Sequence, residues 1–458
     1  MNPAHLRPLL LDAAERGASY LEGLNDKRVF PDDDAIARLA GALESSLPEA
    51  PAEAADVLEF IDTFGSPATV ACAGGRYFGF VTGGALPATV AVNWLAGAWD
   101  QNCFNFVSSP AVALFEMAAL RWVKDALHLP AQAEGALVTG ATMANFTCLA
   151  AARHSVLERA GWDVERRGLF GAPEIKVIVG EEVHGTVLKV LAMLGLGRDR
   201  VVRVPVDEQG RMLLAPLPEI EGPAIVCVQA GNVNSGAFDP PELIAAAQRQ
   251  GAWVHVDGAF GLWARASPRL ASLARGFESA DSWATDAHKW LNAPYDCGVA
   301  LVRSREALRA AMAISGAYLL LGEERNAIDV TPDSSRRARA MEVWAALKSL
   351  GRSGLAALIE GNCSQARWLA EQLRQAGCAV LNDVVLNQVV VSFGNDELNG
   401  RVLSAIQRSG ELWCGGTTWR GRQAMRISVS SWATTQSDLD RALAAILRAR
   451  DLARRNSG

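Results

Sequence analysis

The stretch Asp281-Ser282-Trp283-Ala284-Thr285-Asp286-Ala287-His288-Lys289-Trp290-Leu291-Asn292 decides how this sequence is read. Lys289 stands between His288 and Trp290, in a chain of 458 residues that holds only six lysines. Its neighbours are mostly apolar and suit a surface poorly, whereas structural lysines usually sit on surfaces. A desolvated lysine binds its proton less tightly and becomes a nucleophilic amine, the chemistry of imine formation.

Around this stretch, from about residue 76 to 330, short apolar runs alternate with helical patterns. Ala136–Val138, Ile175–Val179, Ala224–Val228, Trp253–Val256 and Gly298–Val302 each predict a buried strand. Such runs alternating with helices of about ten or more residues predict an α/β fold with a mainly parallel sheet covered on both faces. Beyond residue 331 long helices (Arg336 to Leu350, Gly354 to Ala376) precede shorter strands near Leu386–Phe393 and Met425–Val429. The expected division is therefore a helical N-terminal segment (1–75), a large domain (76–330) and a smaller α+β C-terminal domain (331–458).

Half of the residues are hydrophobic and 21% are charged, which excludes a disordered chain. The net charge is −6 and no basic cluster stands out, so the electrostatic footprint of a nucleic-acid binder is missing. The first residues have no continuous apolar run, and Gly83–Trp99 contains Pro87 and Asn93; neither a signal peptide nor a membrane span is expected. Eight cysteines are scattered without metal-ligand spacing. They predict free thiols in a reducing, cytoplasmic compartment and no metal centre.

In open α/β sheets ligands bind beyond the carboxyl ends of the strands. Thr139-Gly140-Ala141-Thr142-Met143-Ala144-Asn145 follows the first strand and opens a helix, as a phosphate cradle does; a Gly/Thr turn also arises for steric reasons alone. His184 follows the second strand and either stacks on a planar ligand, acts on protons, or is a helix-start histidine bonded to nearby backbone. Asp257 ends Trp253–Val256, where it either meets a cation or donor, or caps the next helix. Lys289 comes 32 residues later. An imine-forming lysine, an acid for a pyridine nitrogen and a phosphate site together are what pyridoxal 5′-phosphate requires.

DAHKWLNAPYDC (286–297) resembles the lysine motif of the pyridoxal-phosphate-dependent group II amino-acid decarboxylases, which include the glutamate, aromatic-amino-acid and histidine enzymes. Tyr77-Phe78-Gly79-Phe80, GATMAN, EEVHGTVLKVLAMLGLG, QAGNVNSGAFDP, HVDGAFG and SSRRARAMEVWAALKSLGRSG follow the family's order, over roughly residues 60–440. The resemblance implies the aspartate-aminotransferase-like fold (fold type I) and a homodimer with shared active sites, the N-terminal segment packing on the partner. It implies that Lys289 forms the Schiff base, Asp257 pairs with the pyridine nitrogen, and His184 and Ala259 flank the ring. Ala141, Thr142 and His288 would hold the phosphate, with Thr285 or Asp286 nearby. Asn232 would lie near the cofactor's 3′-oxygen, Ser335 would reach the other subunit's phosphate, and Tyr77, Phe78 and Phe80 would line the substrate pocket.

Two departures from the family pattern stand out. Relatives carry a proton-donating tyrosine on a loop shortly before the Arg-Arg pair, but Arg325–Pro332 contains none, and the nearest is Tyr318; either the donor differs (Tyr318, His184 or a partner-chain group) or the outcome is not simple decarboxylation. Asp286 stands where aromatic decarboxylases tend to have Asn, and its charge beside a phosphate is unfavourable unless it points away. The expected reaction is decarboxylation of an L-amino acid to its amine and CO2. Aldehyde-forming decarboxylation, transamination and carbon–carbon cleavage use the same lysine and aspartate. Arg426 either pairs with a substrate carboxylate or is a solvated strand-end arginine.

Overall fold

A computed structural model describes residues 6–215, 217–314 and 325–455. Seven strands form the larger sheet: β1 (Glu134–Val138), β2 (Lys176–Gly180), β3 (Val202–Val204), β4 (Ala224–Gln229), β5 (Trp253–Asp257), β6 (Ser282–Asp286) and β7 (Gly298–Val302). Their order is β1-β7-β6-β5-β4-β2-β3, with β7 antiparallel to both neighbours and the rest running in one direction. Every residue of β4, β5, β6 and β7 is buried, which is why β4, β5 and β7 read as apolar runs rather than alternating ones.

The helix Ala141–Arg159 packs across β5, β6 and β7 through Ala144, Cys148, Ala151 and Ala152. These small side chains let the helix approach the sheet closely. Its N-terminus consequently lies at the carboxyl edge of the strands, beside the ends of β5 and β6.

Two local outcomes differ from the sequence reading. Ser282–Asp286 is itself a strand, so the Lys289 stretch begins inside the sheet; Trp283 and two hydroxyl residues hid the run. The two long helices expected here are present, as Ala340–Gln375 broken at Gly351 (φ 59°, ψ −174°), but the first starts four residues later than expected. Arg336 accounts for the delay. Its backbone N–H donates to Asn102 Oδ1 (3.1 Å), and its guanidinium to Glu116 Oε2 (2.8 Å) and the Leu137 carbonyl (2.5 Å). These buried bonds hold the Arg-Arg segment out of the helix.

The chain forms two compact units: residues up to 84 with 367–381 and those from 389 on, and residues 85–366 with 382–388. The first holds an antiparallel sheet in the order β10-β11-β9-β8, formed by β8 (Ala379–Val380), β9 (Gln388–Ser392), β10 (Gly415–Trp419) and β11 (Arg422–Ser428). The N-terminal helices belong to this unit. Buried Arg76 donates to the Asn25 and Lys27 carbonyls (2.9 and 3.0 Å) and lies 3.8 Å from Asp438. No helix among the described residues is long and apolar enough to cross a membrane.

Candidate active site

β6 ends at Asp286, and the next residues turn sharply because Ala287 and His288 both donate their N–H to the Cys297 carbonyl (3.0 and 3.3 Å). Two fully buried tryptophans fix this turn. The Trp263 indole donates to the Asp286 carbonyl and the Trp290 indole to Asn362 Oδ1, each at 3.0 Å. The apolar setting expected around Lys289 is therefore present in its flanks. The amine itself is paired, with Nζ 3.1 Å from Asp286 Oδ2.

Asp286 does not point away from the phosphate cradle. It is buried, and its Oδ1 accepts the Ala141 N–H (2.5 Å) at the start of the helix Ala141–Arg159, where a helix favours negative charge. His288 Nε2 lies 3.6 Å from the same oxygen. Its Nδ1 accepts from the Cys297 N–H (3.1 Å), and its ring stacks on Tyr295 at 4.3 Å. Burial pushes the His288 imidazole below its ordinary range, against the pull of Asp286.

Glycine is required where β7 passes under this loop. A Cβ at Gly298 would stand 2.4 Å from the Gly140 carbonyl carbon, and one at Gly140 would stand 3.2 Å from His288 Cε1. Ala141, Thr142 and His288 thus share one small-residue cradle at a helix N-terminus, the geometry that binds anions.

Asp257, at the end of β5, does not cap a helix. Its Oδ1 accepts the Ala259 N–H (3.3 Å), which turns the chain, and its Oδ2 meets Asn145 Nδ2 at 3.4 Å. Thr285 Oγ1 lies 3.5 Å from the Ala259 carbonyl, in the turn after β5. The loops after β4 and β5 touch: a Cβ at Gly261 would stand 2.2 Å from the Ala230 carbonyl oxygen. Asn232 lies in the first of these loops, with Oδ1 accepting from the Asn234 and Ser235 N–H groups (2.8 and 3.2 Å). His184 caps the helix Gly185–Met193, its Nδ1 accepting the Thr186 N–H (3.3 Å) and standing 2.7 Å from Thr186 Oγ1. The helix-start reading of His184 therefore holds, and the cap fixes the orientation of its ring.

The other predicted residues fall elsewhere. Tyr77, Phe78 and Phe80 belong to the smaller unit, where Tyr77 stacks on Trp413 (5.2 Å) and Phe80 packs against it (5.0 Å). Phe78 is fully buried and Phe80 is exposed. Arg426 lies within β11 rather than at a solvated strand end; it pairs in register with Gly415, and burial lowers its guanidinium. Ser335 is exposed, with Oγ 3.4 Å from Asn102 Nδ2. Tyr318 lies outside the described residues. Among the described residues no group of three or more metal-ligating side chains converges.

Asn145 and His255 escaped the sequence reading. Both were in view inside GATMAN and HVDGAFG, and the available signal was a polar side chain set in an otherwise buried apolar run. Glu116 was also missed; it meets Arg336 at 2.8 Å and Arg325 at 3.6 Å from a helix that shows no motif.

These residues fit pyridoxal 5′-phosphate. Lysine, carboxylate and helix N-terminus occupy one sheet edge, and the buried Nδ2 of Asn232 has no hydrogen-bond partner among the described residues, which leaves a donor for a bound acceptor. Comparison with known proteins agrees. Residues 39–393 match the pyridoxal-dependent decarboxylase conserved domain. The aromatic-L-amino-acid decarboxylase of Bacillus atrophaeus is 24% identical over 96% of this chain and 94% of its own. The L-2,4-diaminobutyrate decarboxylase of Rhizobium meliloti (strain 1021) is 29% identical over 79% and 75%. The solved structure of Oryza sativa TDC with PLP and tryptamine superposes with a TM-score of 0.91 at 23% identity, covering 99% of both chains. Mouse CSAD gives 0.90 at 22%, covering 98% of this chain and 99% of that one. The expected fold type I architecture is thereby established, and the chain belongs to the pyridoxal-dependent decarboxylase family, carboxy-lyases that work with pyridoxal 5′-phosphate.

Proposed function

We propose that the chain decarboxylates an L-amino acid to its amine and CO2, with Lys289 as the lysine that holds the cofactor. The observation that carries this reading is the convergence of Lys289, Asp257 and the Ala141 helix N-terminus on one sheet edge within one compact unit. When bound, pyridoxal phosphate supplies an aldehyde for condensation with amines and a ring that takes up the electron pair left as CO2 departs.

Ala141, Thr142 and His288 hold the phosphate in this reading, and Asp257 faces the ring nitrogen. His184 and Ala259 would flank the ring, and Asn232 Nδ2 would donate to the ring's oxygen substituent. Asp286 Oδ2, 3.1 Å from Lys289 Nζ, is placed to hold the proton that the amine gives up when it acts as a nucleophile. The fully buried Trp263 and Trp290 hold the turn that carries that amine. On the family resemblance, Tyr77, Phe78 and Phe80 are assigned to the substrate pocket and Ser335 to the partner subunit's phosphate; apart from that resemblance, Tyr318 is a candidate proton donor and Arg426 a candidate partner for a substrate carboxylate.

We further propose a cytoplasmic homodimer. The helix Pro87–Trp99 exposes Trp94, Leu95 and Trp99, an apolar face of the kind a second copy covers. The free cysteines suit a reducing compartment.

A panel of L-amino acids, with CO2 trapping and mass spectrometry of products, tests the function. The expected result is CO2 with an equal amount of amine. Substrate loss without CO2 contradicts it. A second reading rests on the tyrosine-free segment Arg325–Pro332. If no group there protonates the substrate carbon, O2 and water are consumed, and the aldehyde appears with CO2, ammonia and hydrogen peroxide. An oxygen electrode run on the same reactions separates the two.

A further inference from the structure

Asp257 ends a chain of four buried contacts that runs back across β5 and β6. Trp253 Nε1 lies 2.9 Å from Ser282 Oγ, and Ser282 Oγ lies 2.9 Å from His255 Nδ1. His255 Nε2 lies 2.8 Å from Asn145 Oδ1, and Asn145 Nδ2 completes the chain at 3.4 Å from Asp257 Oδ2. All five side chains are buried, and Ser282, His255 and Asn145 are wholly inaccessible.

The ends fix the direction of every link. An indole nitrogen can only donate, so Ser282 Oγ accepts from Trp253 and keeps its own hydrogen for His255 Nδ1, which the other end of the chain requires to accept. A neutral histidine that accepts at Nδ1 carries its hydrogen on Nε2 and gives it to Asn145 Oδ1. The amide then has only its NH2 for Asp257, and an ionised carboxylate only accepts. Burial supports the neutral imidazole, pushing His255 down to about 3. No link requires a donor to face a donor.

We propose that Trp253, Ser282, His255 and Asn145 form a positioning relay that presents Asp257 to the cofactor's ring nitrogen as a hydrogen-bond acceptor. An acceptor there keeps a proton on that nitrogen, the state in which the ring draws electrons most strongly. The proposal rests on the assignment of Asp257 to the ring nitrogen made above. None of the four residues touches the cofactor in this scheme; they act through Asp257.

The test uses holoenzyme reconstituted with cofactor labelled with ¹⁵N in the ring. It reads the ring-nitrogen chemical shift at one fixed pH, together with the cofactor dissociation constant. His255→Leu cuts the relay, and Asn145→Ala removes its last donor. His255→Gln preserves it, because a glutamine can accept from Ser282 and donate to Asn145 in the same direction. The expected result is a ring nitrogen shifted toward its unprotonated position in the Leu and Ala variants, with cofactor bound roughly tenfold more weakly, the size of a lost hydrogen bond to a charged group. His255→Gln is expected to keep the wild-type shift and affinity.

Wild-type values in both His255→Leu and Asn145→Ala overturn the relay, as does a His255→Gln variant that fails in the same way as His255→Leu. If His255→Leu does not fold, Asn145→Ala and Ser282→Ala, checked by circular dichroism, carry the test. Asp257→Ala separates the two layers of the proposal. A ring nitrogen that stays protonated in that variant overturns the assignment of Asp257 itself; one that loses its proton there, but not in the relay variants, overturns the relay alone.

Discussion

Two buried carboxylates at the same sheet edge are held in opposite ways. Asp257 is met by neutral donors, the Asn145 amide and the Ala259 N–H, each in a network whose direction is already set. Asp286 is met by the Lys289 ammonium at 3.1 Å and by the helix N-terminus at Ala141. The first arrangement needs no change when a pyridine nitrogen arrives. The second places an anion at the helix N-terminus to which the proposed site assigns the cofactor's phosphate, so in that reading the phosphate end must share or exchange partners. One end of the site is organised in advance, and the other is in tension with its ligand.

The largest effect that this contrast predicts comes from the residue both ends serve. Lys289→Ala removes the visible absorbance of bound cofactor and lowers kcat by about a thousandfold or more, as loss of a nucleophile does. An intact yellow species in that variant contradicts the site. Next is the organised end. Asp257→Ala lowers kcat by roughly a hundredfold while the protein still binds phosphate, because only a charge-stabilising partner is lost; steady-state kinetics with a phosphate-competition assay check both halves.

The strained end moves the other way. Asp286→Asn keeps an acceptor for the Ala141 N–H but removes the charge, so pyridoxal phosphate binds roughly tenfold or more tightly. Pyridoxal, which lacks the phosphate, is expected to bind no more tightly. Equal gains for both ligands by fluorescence titration dissolve the contrast. The smallest effect is on stability. His255 is pushed down to about 3 in the folded chain from an ordinary value of 6.5. The unfolded chain therefore takes up this proton first, and the contribution, full above pH 6.5, is lost as pH falls from there toward 3. Between pH 6.5 and 5.5 the wild type loses about 1 kcal/mol more than His255→Gln, measured by denaturant unfolding at both values.

The organised end was also only partly legible in the sequence. Asp257, Lys289 and the Gly140–Thr142 turn could be found because each follows an apolar strand, and strand ends are where such folds place chemistry. Asn145 and His255 could not be assigned, because their roles arise from pairing between a helix and two strands far apart in the chain. The same holds for Arg336, whose bond to Glu116 spans 220 positions and displaces the start of a helix that periodicity alone placed earlier. Asp286 shows the opposite limit. Its position in the motif was evident, and so was the conflict with a phosphate, but its direction depends on a helix N-terminus supplied by residue 141. Strand-end logic finds the groups on the rim; it does not find what holds them.

Borohydride reduction of the holoenzyme, followed by proteolysis and peptide mass spectrometry, tests the central assignment most directly. Reduction fixes the cofactor to whichever amine carries it, and this chain offers only six lysines. The account predicts a single pyridoxyl-phosphate adduct, on the peptide containing Lys289. An adduct on Lys27, Lys124, Lys176, Lys189 or Lys348 with Lys289 unmodified would contradict it.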